Sequence, residues 1–372
     1  MTEPRGCFIY FGDIRYDSRL QNIAGTLTRN GQSITVLQAA ECSEGFNLDG
    51  VRVVSVKTNN RIKGFARFLW FYARIIPAAL KIKADFFCAA DLYSLPVAAW
   101  AAKINKAGLF YDSREIYSAL GALAGKKTKQ NIWQLLEKLF IKKAAVFTSG
   151  EIDSARLTEL YSIPVPKVVY NYPCLKDVPR NKSLHSALKL PEDRFILIYQ
   201  GMLAPGRGIG FMLEILQQLG PKYALVLIGD GSMFDELQKK SQAPEWRDKL
   251  FVMGRVPHQQ LLEYTASADI GLALIEGITL SYFAALPNKL FEYIMCGTPP
   301  LVSELPAMKK VIDRYGTGKT AAYGDVPQAA LAIEEIRRHL PEHQKACAAA
   351  RLKLNWQEQE PEILSIFKSR QA

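Results

Sequence analysis

This chain of 372 residues lacks the features that most quickly betray a chemistry. Histidine is scarce, and all four copies (His185, His258, His339 and His343) lie beyond the first 180 residues. Any site built from the first half must therefore do without an imidazole. Six cysteines are scattered with no CxxC pair, which removes zinc-ribbon and dithiol redox motifs and fits buried thiols in a reducing cytoplasm. No DxD triplet occurs, so the paired carboxylates that commonly share a divalent cation beneath a diphosphate are missing. No apolar run is long enough to span a bilayer, because Arg67 and Arg74 interrupt the best candidate. Repeats and low-complexity tracts are absent. Met-Thr-Glu-Pro-Arg runs straight into the strand-like Cys7–Phe11, so no signal peptide is expected and the setting read from the sequence is cytoplasmic.

Negative charge is missing from one place in particular. Between Lys57 and Lys83 there are seven basic residues (Lys57, Arg61, Lys63, Arg67, Arg74, Lys81 and Lys83) and no acidic one. Phe65, Phe68, Trp70, Phe71 and Tyr72 are interleaved with them. A second cluster, Lys126, Lys127 and Lys129, precedes a helix-like run with Ile132, Leu135, Leu136, Leu139 and Phe140. The net charge of +11 sits mostly here: residues 1–175 carry +9 and the remainder +2. Basic and aromatic residues mixed in this way suit a surface that meets anionic phospholipid, at the inner face of the cytoplasmic membrane. A core role for Phe68, Trp70 and Phe71 beside a solvated charged face is the competing reading. Nucleic acid is not expected, since no recognised binding module accompanies the charge.

The apolar pattern alternates strands with helices and restarts halfway. Cys7–Phe11, Gln32–Leu37, Val51–Val56, Phe86–Ala89, Gly108–Tyr111 and Ala145–Thr148 form one series of short buried strands. Phe195–Tyr199, Ala224–Ile228, Leu250–Val252, Ile270–Ala273 and Pro300–Val302 form a second, with helices Gly210–Leu219, Met233–Lys240 and Gln259–Ser267 between them. The pattern predicts two doubly wound α/β domains, joined within Val169–Leu190. The expected division is 1–172, 173–350 and a C-terminal helix in 351–372, which begins near Trp356. Ligands of such sheets sit at the carboxyl ends of the strands, so the loops there carry the candidate chemistry.

One segment, Leu286–Ser303, reads as a short helix followed by a buried strand. Pro287 suits the first turn, Gly297 the position past the end, and Pro299 and Pro300 forbid continuation. Leu290, Phe291 and Ile294 share one face; Asn288, Lys289 and Glu292 share the other. A helix start with free N–H groups, a lysine beside them and a carboxylate one turn on can hold a nucleoside diphosphate, with Glu292 accepting from a ribose hydroxyl. An ordinary amphipathic helix gives the same pattern. Three more strand-end loops accompany it in order: Gly201 to Gly210 with Arg207, Gly229-Asp-Gly231, and Gly254-Arg-Val-Pro257.

Taken in that order, the four elements resemble the donor-binding domain of retaining GT-B glycosyltransferases, glycosyltransferase family 4 (group 1) in particular. Asp91–Pro96, Tyr111–Tyr117 and Val169–Pro173 extend the likeness more weakly into the first half. The resemblance implies two Rossmann-like domains facing across a cleft, with the last helix crossing back to the first domain. It implies a retaining, metal-independent enzyme that takes a sugar from a UDP- or GDP-sugar and needs no cofactor. The acceptor would be a lipid-linked saccharide in bacterial surface polysaccharide synthesis. Arg207 and Lys289 would bind the donor diphosphate, Glu292 the ribose, and Gly201 and Asn288 the same nucleotide-sugar. Arg255 and Val256 would lie near the base, and Gly12 would approach the diphosphate from the first domain. Three departures stand out. Ala284 replaces the first glutamate of the family's E-x7-E motif, and Met202 replaces the arginine that follows glycine. The acceptor-side histidine is absent, with Asp112, Arg114 and Glu115 in that region. Glu276 lies upstream of Ala284 at the wrong spacing. The departures leave room for a catalytically degenerate binding protein, and the shared architecture for a nucleotide-sugar epimerase.

Overall fold

The computed structural model describes residues 3–40, 48–57, 62, 64–120, 123, 125–278 and 280–368. Arg61 and Lys63 of the basic stretch, and Cys42, lie outside the described residues. The chain divides into two units, residues 1–171 with 356–372, and residues 172–355.

The first unit is a seven-stranded parallel sheet in the order β3-β2-β1-β4-β5-β6-β7. Its strands are β1 (Arg5–Tyr10), β2 (Ser33–Ala40), β3 (Val51–Lys57), β4 (Phe86–Ala89), β5 (Gly108–Ser113), β6 (Ala145–Thr148) and β7 (Lys167–Val168). Helices α1 (Ser18–Arg29), α2 (Phe65–Leu80), α3 (Leu95–Asn105), α4 (Lys127–Phe140) and α5 (Glu151–Tyr161) connect them. Side chains alternate between sheet faces, and both faces are covered, which is why these strands read as continuous apolar runs. Cys7, Ile9, Phe87, Leu109 and Tyr111 join one core with residues of α2, α3 and α4. Phe71 is fully buried there, and Phe11, Phe68, Tyr93 and Trp133 form a ring cluster with centroids about 5 Å apart. Most aromatics of the basic stretch thus pack inward, and Trp70, half-buried, lies under the Arg74 guanidinium. On the opposite face, Phe8, Phe86, Phe110 and Phe147 surround Phe367.

The second unit is a six-stranded parallel sheet in the order β10-β9-β8-β11-β12-β13. Its strands are β8 (Phe195–Gln200), β9 (Tyr223–Ile228), β10 (Leu250–Met253), β11 (Ile270–Ala273), β12 (Pro300–Ser303) and β13 (Lys319–Ala321). Its helices are α6 (Ser183–Leu188), α7 (Ile209–Gln218), α8 (Phe234–Ser241), α9 (His258–Ser267), α10 (Leu280–Phe283), α11 (Asn288–Met295), α12 (Pro306–Tyr315), α13 (Val326–Arg338) and α14 (Leu340–Ala350). The chain then returns to the first unit with α15 (Glu360–Lys368), which carries Phe367. β7 and β13 have two and three residues, too short to leave a periodic signal. In both sheets strand order reverses beside the first strand of the unit, at β1/β4 and at β8/β11. That reversal opens a crevice at the strand ends, where loops can present polar groups.

Candidate functional site

The site residues of the second unit gather where β8, β9 and β11 end. α11 begins one residue later than the sequence pattern suggests: Pro287 precedes the helix with extended backbone, and Asn288 is its first residue. Pro287 still gives up no helical donor, and Gly297 ends the helix at φ +68°. Leu290, Phe291 and Ile294 are buried beneath it, while Asn288 is exposed and Lys289 and Glu292 half-buried. Tyr293, one residue on, sends its ring under β11 so closely that a Cβ at Gly271 would stand 2.3 Å from it. Its hydroxyl lies 3.1 Å from the Leu272 carbonyl, which fixes the helix to the sheet.

Lys289 projects back over the end of β8. Its ammonium lies 3.5 Å from the centroid of the Tyr199 ring, a cation–π contact. The Tyr199 hydroxyl donates to the Met202 carbonyl at 2.7 Å, so the ring is held at both ends. Gly201 has φ +127°, and a Cβ there would stand 3.3 Å from the Lys289 nitrogen. A Cβ at Gly229 would stand 1.8 Å from the Gly201 carbonyl oxygen, so the loops after β8 and β9 cross in contact only because both carry glycine. Arg207, also half-buried, places its guanidinium 5.2 Å from the Tyr282 ring centroid. Burial pushes the Lys289 ammonium well below the ordinary lysine range; Arg207 lowers it further, and Glu292 opposes both. Arg207 and Lys289 thus disfavour each other's positive charge, a strain that a bound anion relieves.

Glu292 is clamped from two sides. One carboxylate oxygen accepts from the Gln200 amide, and the other lies 3.4 Å from Nε2 of His258. Gln200 is buried and its carbonyl accepts from the Thr265 hydroxyl at 2.6 Å. Tyr199, Gln200, His258, Thr265 and Tyr282 were not singled out in the sequence. Tyr199 and Gln200 carried a usable signal, standing at a strand end directly before a candidate glycine. Tyr282 and Thr265 carried none, since only folding brings them to the cluster.

The other candidates are more spread out. Arg255 is exposed and pairs with Asp230 at 3.3 Å, joining the ends of β9 and β10. Val256 follows, half-buried, before α9. Gly12 belongs to the first unit, in the loop after β1, where a Cβ would stand 2.5 Å from the Tyr10 ring. Among the departures, Ala284 is buried, only 5% exposed, whereas Met202 is 60% exposed. Glu276 acts on the Tyr323 hydroxyl as a hydrogen-bond acceptor. In the first unit Asp112 is buried between two guanidinium groups. Arg19 meets it at 2.8 and 2.9 Å, and Arg114 meets it at 2.9 Å while also pairing with Asp17. Asp112 and Arg114 are therefore tied to each other; Glu115 is exposed. Among the described residues no group of three or more His, Cys, Asp or Glu side chains is arranged to hold a metal ion.

Residues 181–353, all within the second unit, match the family model described as glycosyl transferases group 1. A curated relative, the alpha-D-kanosaminyltransferase of Streptomyces kanamyceticus, is 25% identical over 174 residues, covering 44% of this chain and 43% of that protein. The chain spans less than half the length of the curated relatives it matches. Among solved structures, Anabaena HepE in complex with UDP-glucose superimposes with a TM-score of 0.78 at 15% identity, covering 99% of this chain and 100% of that one. WaaG, a glycosyltransferase involved in lipopolysaccharide biosynthesis, gives 0.72 at 16% identity over 97% and 99%. These likenesses establish the fold: α/β, of the GT-B type, with two Rossmann-like domains.

Proposed function

We propose that the protein is a retaining glycosyltransferase that takes a sugar from a UDP- or GDP-sugar without a metal ion. The observation that carries the donor site is the cluster of Lys289, Tyr199, Gly201 and Arg207 at the end of β8, with Glu292 one helical turn from Lys289. Departure of the sugar through an oxocarbenium-like state leaves charge on the diphosphate. Cations fixed in place beforehand stabilise that charge without reorganising in the transition state. Lys289 and Arg207 would supply them, the first-turn N–H groups of α11 near Asn288 would add their dipoles, and Gly201 would let the phosphates approach the backbone. Glu292, held by Gln200, would accept from the ribose, and the loop carrying Arg255 and Val256 would flank the base. Gly12 is assigned to the diphosphate on the resemblance alone, and the retaining outcome rests on the same ground. HepE, of the same fold, binds UDP-glucose.

For the acceptor we infer a lipid-linked saccharide of bacterial surface polysaccharide synthesis, met at the inner face of the cytoplasmic membrane. The basic charge of the first unit supports this, and WaaG, of similar fold, works in lipopolysaccharide biosynthesis. Ala284 supports a second reading, a binding protein that keeps the donor site without turnover. Donor hydrolysis over a panel of nucleotide-sugars, with Lys289→Ala as control, separates the two. Turnover lost in the variant establishes the transferase. Nucleotide binding without any turnover establishes the binding protein, and no binding of UDP, GDP or ADP sinks both.

A further inference from the structure

Three neighbouring helices of the first unit, α2, α3 and α4, share one side of the sheet, with α3 packed against both of the others. Residues 64–83, 95–106 and 126–143, which hold these helices, contain twelve lysines and arginines, and every one of them is exposed. They contain one carboxylate, Glu137, and it is buried. Glu137 accepts from the hydroxyls of Tyr111 and Tyr161, both at 2.7 Å, so it neutralises nothing outside. These three segments therefore give the outer face twelve exposed cations and no exposed carboxylate.

That same face carries large apolar side chains that the core leaves out. Ile132, Leu135 and Leu139 follow one side of α4 at helical spacing and are between 51% and 59% exposed. Trp100 and Ile104, one turn apart on α3, are similarly exposed, as is Leu69 on α2. The inward aromatics Phe68, Phe71 and Trp133 hold the helices in place. The sequence pattern points to the α2 aromatics and to the apolar run of α4; of these, Phe68 and Phe71 pack inward, while Ile132, Leu135 and Leu139 of α4 are exposed.

We propose that the outer face of α2, α3 and α4 docks on an anionic lipid bilayer, with Ile132, Leu135, Leu139, Trp100 and Ile104 entering the headgroup–acyl boundary. The surrounding lysines, among them Lys126, Lys127 and Lys129, meet the lipid phosphates. This names the surface for the membrane part of the function proposed above and rests on that part alone; the donor site in the second unit does not enter. The chemistry selects the occupant. Aliphatic side chains gain nothing against a sugar–phosphate backbone, and two copies of so cationic a face repel each other. Lysines with long apolar stems around aliphatic tips match a bilayer interface.

Co-sedimentation of the full chain with vesicles tests this, comparing phosphatidylglycerol-containing with pure phosphatidylcholine vesicles. Sedimentation is expected with the former only, weakened by salt, with a blue shift in tryptophan emission that Trp100→Phe removes. Each of Ile132→Ser, Leu135→Ser and Leu139→Ser is expected to weaken partition by about tenfold, the ratio that burial of one such side chain gives. The far-UV circular dichroism and melting temperature of these variants should match the wild type, which shows that they fold, and nucleotide binding, measured apart, separates this proposal from the donor reading. The proposal is overturned if the wild type ignores charged vesicles, if a variant combining Ile132→Ser, Leu135→Ser and Leu139→Ser binds them as well as the wild type, or if the face instead retains RNA or pairs two copies.

Discussion

At the scale of single residues, two titratable groups give signed predictions. Burial and Arg207 hold Lys289 well below its ordinary range, and a diphosphate would raise it again. Between those two values the complex takes up a proton that the free protein lacks. Titration calorimetry with UDP in buffers of different ionisation enthalpy should detect this uptake, and Lys289→Arg, always charged, should abolish it. No uptake at any pH up to the ordinary lysine value would refute the assignment. Without ligand the sign is opposite: the unfolded chain holds the proton in that window, so the second unit gains stability as pH rises through it. Asp153 behaves otherwise. Burial, helped by Glu115, raises its carboxyl to about 7. Between about pH 4 and 7 the folded chain keeps a proton that the unfolded chain has released, so the first unit loses stability as pH rises. Asp153→Asn should flatten that slope and stabilise the unit at pH 8 by roughly 2 kcal/mol, well under the full value of the shift because the α5 N-terminus favours the anion. Urea unfolding at several pH values measures it.

At the scale of elements, the donor site depends on how loops and α11 are seated. The glycine loops after β8 and β9 interlock, so Gly229→Ala should cost roughly 2–4 kcal/mol through the clash with the Gly201 carbonyl. Chemical denaturation should show this in the second unit. Gln200→Leu keeps the bulk of the side chain but frees Glu292. It is expected to weaken nucleotide binding by about tenfold, the worth of a hydrogen bond to a charged group, while Lys289→Ala removes a charge and should cost more. Equal affinity in Gln200→Leu and wild type would show that Glu292 needs no such support. Helix α11 itself was legible, since Pro287, Gly297 and the apolar face marked its ends and its orientation. The clamp on Glu292 was not, because Gln200 at the end of β8 and His258 and Thr265 on α9 are brought to it from two elements distant in the chain.

At the scale of the molecule, the C-terminal helix belongs to the first unit although 184 residues intervene. Phe367 stacks on Phe110 with ring centroids 4.5 Å apart and planes 29° apart, and the Trp356 indole donates to Thr26 at 2.8 Å. Phe367→Ala should cost about 3–5 kcal/mol, all of it in the first unit. Two-step unfolding followed by limited proteolysis should show that unit yielding first in the variant, with the second unchanged; a shift confined to the second unit would contradict the packing.

The sequence by itself determined much of this protein. Its short continuous apolar runs, with period-3.6 patterns between them, marked most of the strands and the restart into a second sheet, because burial on both faces of a parallel sheet writes continuous apolar runs, and its strand-end motifs carried the GT-B resemblance. It also put Lys289, Glu292 and Arg207 on strand-end loops and one helix start. Only the tertiary structure decided what surrounds them. Tyr199 under Lys289, Gln200 against Glu292 and Arg19 tied to Asp112 are contacts between residues distant in the chain, and local patterns carry no information about such pairs. The same holds for the cationic face: composition announced its charge, but which side chains point outward followed from how α2, α3 and α4 lie on the sheet.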